Sequence, residues 1–148
     1  MSRSLKRIIL LLCFCCFCFA GNTPAADNVS LKQKTDEAVI TAYYFHGNFR
    51  CATCRAIEQL SRAAIEKNFK EQLKSGKLLF LVINIDEPAN EHFIQDYQLV
   101  TRSLVITQIK NGRQVAWKNL PKVWNYVSDE KAFDNYVKAE IQSYLQVP

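Results

Sequence analysis

The sequence predicts an α/β fold, one domain built on a four-stranded mixed sheet with helices on both faces. Three observations lead there. The segments follow in the order strand, helix, strand, helix, hairpin, helix. The run LLFLVINID at 78–86 is almost wholly apolar, which is the mark of an interior parallel strand. An Asn111-Gly112 pair separates two strand-like segments, the strongest short-range hairpin signal.

Each element has its own reason. AVITAYYFHG, residues 38–47, is rich in β-branched and aromatic residues, ends on a glycine and reads as a buried strand. After it, Cys54, Ile57, Leu60, Ala64, Phe69 and Leu73 recur at helical spacing between Arg55, Glu58, Arg62, Glu66 and Lys70. That pattern predicts one amphipathic helix ending near Ser75 and Gly76. Beyond the second strand, Pro88 opens a shorter helical pattern through Phe93, Ile94 and Tyr97, with Asp86 as its cap, the preferred reading, or as a charge near the cysteines. SLVITQI at 103–109 and RQVAWK at 113–118 form the hairpin. Ser128 is the expected N-cap of the last helix, whose apolar face is Phe133, Tyr136, Val137, Ile141, Tyr144 and Leu145. A parallel βαβ unit followed by a ββα unit makes a single sheet. Trp117, Trp124 and Tyr126 are read as core or edge packing in preference to a partner surface.

The amino terminus is of another kind. Arg3, Lys6 and Arg7 precede an unbroken apolar run from Ile8 to Ala20, and small and polar residues follow. This is the pattern of a secretory signal, and the run is shorter than the roughly 20 apolar residues of a spanning helix. Cleavage fits after Ala20 or after Ala25. Leu12, Phe14, Cys15 and Phe17 precede the four cysteines of the run, so none follows the small residue that lipidation requires. The expected organisation is a signal peptide at 1–20, a polar linker at 21–37 and the domain at 38–148. The destination is periplasmic or extracellular, with anchoring only if the signal stays, and no stable membrane insertion is expected after cleavage. Loss of residues 1–20 removes Arg3, Lys6 and Arg7, leaving sixteen basic residues against fourteen acidic ones and a net charge of +2 instead of +5. Such a chain has no basic block to draw in nucleic acid.

The same loss reduces six cysteines to two, Cys51 and Cys54, in FRCATCRAIE. Exported cysteines are paired or poised for exchange. Three readings are open: a redox couple, a metal clamp and a structural staple. A four-residue loop makes a poor staple, at roughly 2 kcal/mol against about 3 for fifteen residues. At a helix amino terminus the unpaired N–H groups and the macrodipole favour a thiolate at Cys51, while Cys54 lies one turn in and deeper. The dipole supplies only about 0.3–1 kcal/mol, so Arg50 and Arg55 are the candidates for further help. A four-ligand zinc site would need more than His46 and His92 to complete it, and His92 reads as surface.

CATC between a strand and a helix resembles the active-site motif of the thioredoxin-like superfamily. INIDEP at 83–88 resembles that family's strand ending in Asn-Ile-Asp. Tyr97-Gln98-Leu99 resembles its Tyr-Gly-Ile segment, and Lys110-Asn111-Gly112 its hairpin turn. More narrowly, YYFHGNFRCATCR is similar to a small group of exported thioredoxin-like proteins sometimes labelled as nitroreductase subunits, although the chain has no visible flavin or nicotinamide site. The resemblance implies a thioredoxin-like βαβ-α-ββα fold over 38–148 and a thiol–disulfide oxidoreductase acting on protein thiols and disulfides without a cofactor. It implies that Cys51 attacks and Cys54 resolves. Two departures stand out. Where the family has a cis-proline, the chain reads Thr101-Arg102-Ser103-Leu104, with Ser103 nearest. Where it keeps a buried acid, the chain has aromatics, with Phe45 or Tyr44 nearest. His46 or water is then left to accept the proton of Cys54. The competing expectation is a soft-ion or binding module, with Cys51, Cys54 and His46 holding an ion such as Cu(I).

Overall fold

The computed structural model describes residues 38–146, so the signal and linker expectations lie outside the described residues. Strand β1, Val39–His46, lies in the middle of a four-stranded sheet of order β2-β1-β3-β4. It pairs in parallel with β2, Leu78–Asn84, and antiparallel with β3, Ser103–Lys110. β4, Arg113–Asn119, completes the hairpin on β3. The expected mixed sheet and βαβ-α-ββα order are present, but β2 is an edge strand and not the interior one that its apolar run predicted: it pairs with β1 on one side, and Leu79 and Leu81 are left exposed.

Side chains alternate along β1, and each set meets a different layer. Ile40, Ala42 and Tyr44 join the main core with Ile57 and Ile65 of α1, Ala52–Asn68, and with Phe133, Val137 and Ile141 of the C-terminal helix. Phe45 joins Val105, Tyr97 and Leu99 on the opposite face, where Tyr43 and Phe93 pack against them. Helices therefore lie on both sides of the sheet.

The single long helix expected after the cysteines is two. α1 stops at Asn68 and α2, Lys70–Ser75, starts beyond Phe69, whose backbone leaves the helical region at φ −132°, ψ 34°. Phe69 is buried in the main core. A local turn there keeps the ring inside, and Asn68 helps close the end by donating to Ala64 O and Asp134 Oδ1. The Pro88 segment is a short 3-10 turn, Pro88–Asn90, followed by α3, His92–Asp96. His92 is on the surface, as expected, bonded to Asp96 at 2.7 Å. A further helix that the sequence pattern did not announce, α4, Val123–Tyr126, buries Val123. α5, Glu130–Leu145, is capped by Asp129, which accepts from Ala132 N–H at 2.9 Å, one residue later than the expected Ser128.

Asn111 and Gly112 both have positive φ, 55° and 75°, as a two-residue turn matched to strand twist requires. Gln98 also sits at φ 50°, where a side chain is disfavoured. It occupies the glycine position of the Tyr-Gly-Ile resemblance. Gln98→Gly is expected to raise unfolding free energy by up to about 1 kcal/mol, read from the denaturant midpoint at constant slope. Burial raises the Tyr97 hydroxyl from 10.0 to about 12, with Tyr43 and Asp96 adding to the effect. A raised phenol stabilises the fold fully below pH 10 and loses that contribution as pH climbs through about 12. Tyr97→Phe should flatten the stability loss in that alkaline window, checked by urea melts across pH.

Candidate active site

The site forms where β1 leaves the sheet. Gly47 is buried, and a Cβ there would lie 2.7 Å from Asp86 Oδ2 and 3.2 Å from Arg102 Nη2. A side chain at 47 would displace the Asp86 carboxylate and crowd the Arg102 guanidinium, so glycine leaves room for both. Asn48 N–H donates to Asp86 Oδ2 at 2.7 Å, Asn84 Nδ2 donates to Asn48 Oδ1 at 2.8 Å, and Arg102 Nη2 donates to Phe49 O at 3.3 Å. The preferred reading of Asp86 as a helix cap is corrected here, and the other, a charge at the site, agrees with the geometry. Glu87 occupies the cap position of the Pro88 turn and makes no side-chain cap bond, while the Asp86 carboxylate holds the motif loop.

Cys51 is the N-cap of α1 and forms a disulfide with Cys54, their Cα atoms 5.1 Å apart. Its Sγ also accepts from Cys54 N–H at 3.1 Å. Cys54 is buried and Cys51 is partly exposed, so Cys51 is the sulfur that an incoming thiolate reaches. The first turn of α1 contains no acidic residue to oppose a thiolate.

The two flanking arginines are placed differently. Arg50 makes an ion pair with Glu58, which Arg62 also approaches at 3.8 Å. Arg55 is exposed and donates from Nη1 to Arg50 O. Both keep the loop before Cys51 in place.

Strand register decides between Tyr44 and Phe45. Tyr44 points toward α1, fully buried, and its hydroxyl donates to Cys54 O at 2.6 Å. Phe45 lies on the other face with Phe93 and Tyr97. Burial pushes the Tyr44 hydroxyl up, against the pull of the Arg50 and Arg102 guanidiniums. The place of a buried acid is thus held by a neutral phenol that ties sheet to helix. His46 lies along the same side, its ring 6.4 Å from that of Tyr44. Its Nδ1 is 3.0 Å from Gly47 O. A carbonyl only accepts, so Nδ1 carries the hydrogen and Nε2 is the free acceptor.

Ser103 opens β3 opposite Phe45, on the face away from Tyr44, and its hydroxyl donates to Thr101 O at 2.8 Å. Among the described residues no peptide bond is cis, and no group of three or more His, Cys, Asp and Glu side chains is placed to hold a metal ion. The sequence reading missed Arg102 and the role of Trp124, whose Nε1 donates to Arg102 O at 3.0 Å. Trp124 also packs on the main core. A polar ring edge in a segment read as packing was the only hint.

No protein-family model matches the chain, and no curated protein matches it. Solved structures similar to it include thioredoxins. A Halobacterium salinarum thioredoxin mutant is 18% identical, with 77% of this chain and 81% of that one covered and a TM-score of 0.43. Malaria parasite thioredoxin-2 is 18% identical over 72% and 84%, with a TM-score of 0.43. Arabidopsis thaliana thioredoxin O2 is 17% identical over 64% and 74%, with a TM-score of 0.39.

Tyr44→Phe removes the bond to Cys54 O while keeping the ring. It should cost about 1 kcal/mol in a urea titration of the disulfide form.

Proposed function

We propose that this protein is an exported thiol–disulfide oxidoreductase that exchanges electrons with protein partners through Cys51 and Cys54. The observation that carries the reading is the asymmetry of the pair: Cys51 is partly exposed at a helix amino terminus, and Cys54 is buried one turn behind it. A client thiolate attacks Cys51 Sγ, the Cys51–Cys54 bond breaks, and Cys54 leaves with the electron pair. In the reductive direction the Cys51 thiolate attacks a client disulfide, and Cys54 then attacks Cys51 Sγ to release the reduced client.

A protein client suits the rim better than a small thiol does. Phe49 is 76% exposed and Val100 is 94% exposed. Phe49 is two residues before Cys51, and Val100 is in the loop that Arg102 ties to Phe49. Isolated exposed apolar residues are ordinary, but one in the motif loop and one in the loop bonded to it give an extended segment something to dock on. Export rests on the basic and then apolar amino terminus.

Cys51→Ser should abolish turnover of a protein disulfide substrate, and Cys54→Ser should accumulate a mixed disulfide with the client, seen by non-reducing electrophoresis. Metal is measured on the same reduced sample. Stoichiometric Cu(I) that blocks oxidation would replace this reading with ion binding through the two thiols and His46 Nε2. Val100→Asp should raise KM for a protein substrate several-fold while leaving exchange with glutathione unchanged.

A further inference from the structure

We infer that Arg102 is a positioning residue that biases the Cys51/Cys54 pair toward acting as an oxidant, by favouring the Cys51 thiolate released when the disulfide is reduced; this rests on the exchange reading above. Its guanidinium reaches across to the loop that carries Cys51. Nη2 donates to Phe49 O at 3.3 Å, and the same nitrogen lies beside Gly47. Trp124 Nε1 holds the Arg102 carbonyl at 3.0 Å. The Arg102 Nε is buried and has no hydrogen-bond partner. A cation is thus brought from the loop before β3 to the loop that carries Cys51.

Among the described residues, the segments that carry or adjoin the pair supply these charged and titratable groups. β1 supplies Tyr44 and His46, and the loop after it supplies Arg50. α1 supplies Arg55 and Glu58, the loop after β2 supplies Asp86, and the loop before β3 supplies Arg102. Glu58 is engaged by Arg50 and approached by Arg62. Asp86 lies across Gly47 from Arg102, but its Oδ2 accepts the Asn48 N–H. Where a carboxylate would oppose a second negative charge, the chain has the Tyr44 phenol bonded to Cys54 O. Arg50 and Glu58 offset one another, so the segments that carry or adjoin the pair hold two further guanidiniums, Arg55 and Arg102, against the single carboxylate of Asp86. A thiolate favoured by fixed positive charge stabilises the reduced form and makes the disulfide the stronger oxidant.

The direction has a balanced chemistry. One client thiolate attacks Cys51 Sγ, and Cys54 leaves and takes a proton from water. A second client thiol loses its proton to water and attacks the client sulfur of the mixed disulfide, and Cys51 leaves as a thiolate beside Arg102. Two client thiols become one disulfide, and two electrons enter the cysteine pair.

The test is the disulfide fraction of the mature wild-type, Arg102→Gln and Arg102→Lys proteins across a glutathione series, with thiolate ultraviolet absorbance followed against pH. The Cys51 thiolate of the wild type should form below the free-thiol value of about 8.5. Arg102→Gln should shift the equilibrium toward the disulfide about tenfold, or about 30 mV for a two-electron couple, and Arg102→Lys should restore most of it. An unchanged midpoint in Arg102→Gln overturns the inference. So does an equal shift in both variants, which would assign the effect to the bond with Phe49 O and not to the charge. If Arg102→Gln does not fold, the wild-type titration decides, and an ordinary thiol value there rejects the idea. A wild-type pair that never exchanges with glutathione would end the oxidoreductase reading itself, whereas exchange indifferent to Arg102 ends only this one.

Discussion

Everything in this domain depends on β1 being buried on both faces. It pairs with β2 on one edge and β3 on the other, and its alternating side chains enter two separate clusters. A strand so enclosed cannot slip by one residue, because the slip would exchange the side chains of the two clusters. Its last residues therefore have fixed directions. Tyr44 and His46 are aimed along the side of α1, and Phe45 is aimed away from it.

The crowded exit of that strand then defines the site. Gly47 is where the Asp86 carboxylate and the Arg102 guanidinium converge, so the loop from Gly47 to Cys51 is held by partners far away in sequence. α1 begins with Cys51 as its own cap, and the Tyr44 hydroxyl fastens its first turn to the sheet through Cys54 O. The disulfide is thus built onto a framework that would position both sulfurs even if the S–S bond were opened. A preorganised pair loses little conformational freedom on reforming the bond.

The hydrogen bond from Trp124 to Arg102 extends this framework to α4. α4 also contacts α5, which packs against α1. The rim of the site is consequently supported from both ends of the domain by core residues, and Phe49 and Val100 stand out from it as exposed apolar positions. Solvent reaches one sulfur and not the other because Cys54 lies on the buried side of α1 with Ile57 and Ile65.

The sequence by itself determined the two strand pairs, the hairpin turn at Asn111-Gly112, the helical face of α5 and the placing of the cysteines at a strand-to-helix junction. These follow from local chemistry: side-chain periodicity, turn conformations and capping preferences act within a few residues. It did not reveal the break at Phe69 or the shift of the α5 cap to Asp129, because each depends on which residue the core draws inward. Nor could it choose between Tyr44 and Phe45, which differ only in the face they meet. Asp86 was legible only as one of two alternatives, and Arg102 and Trp124 were least legible of all. Their parts in the site arise from contacts across 38, 53 and 22 residues of chain, which only the tertiary structure brings together.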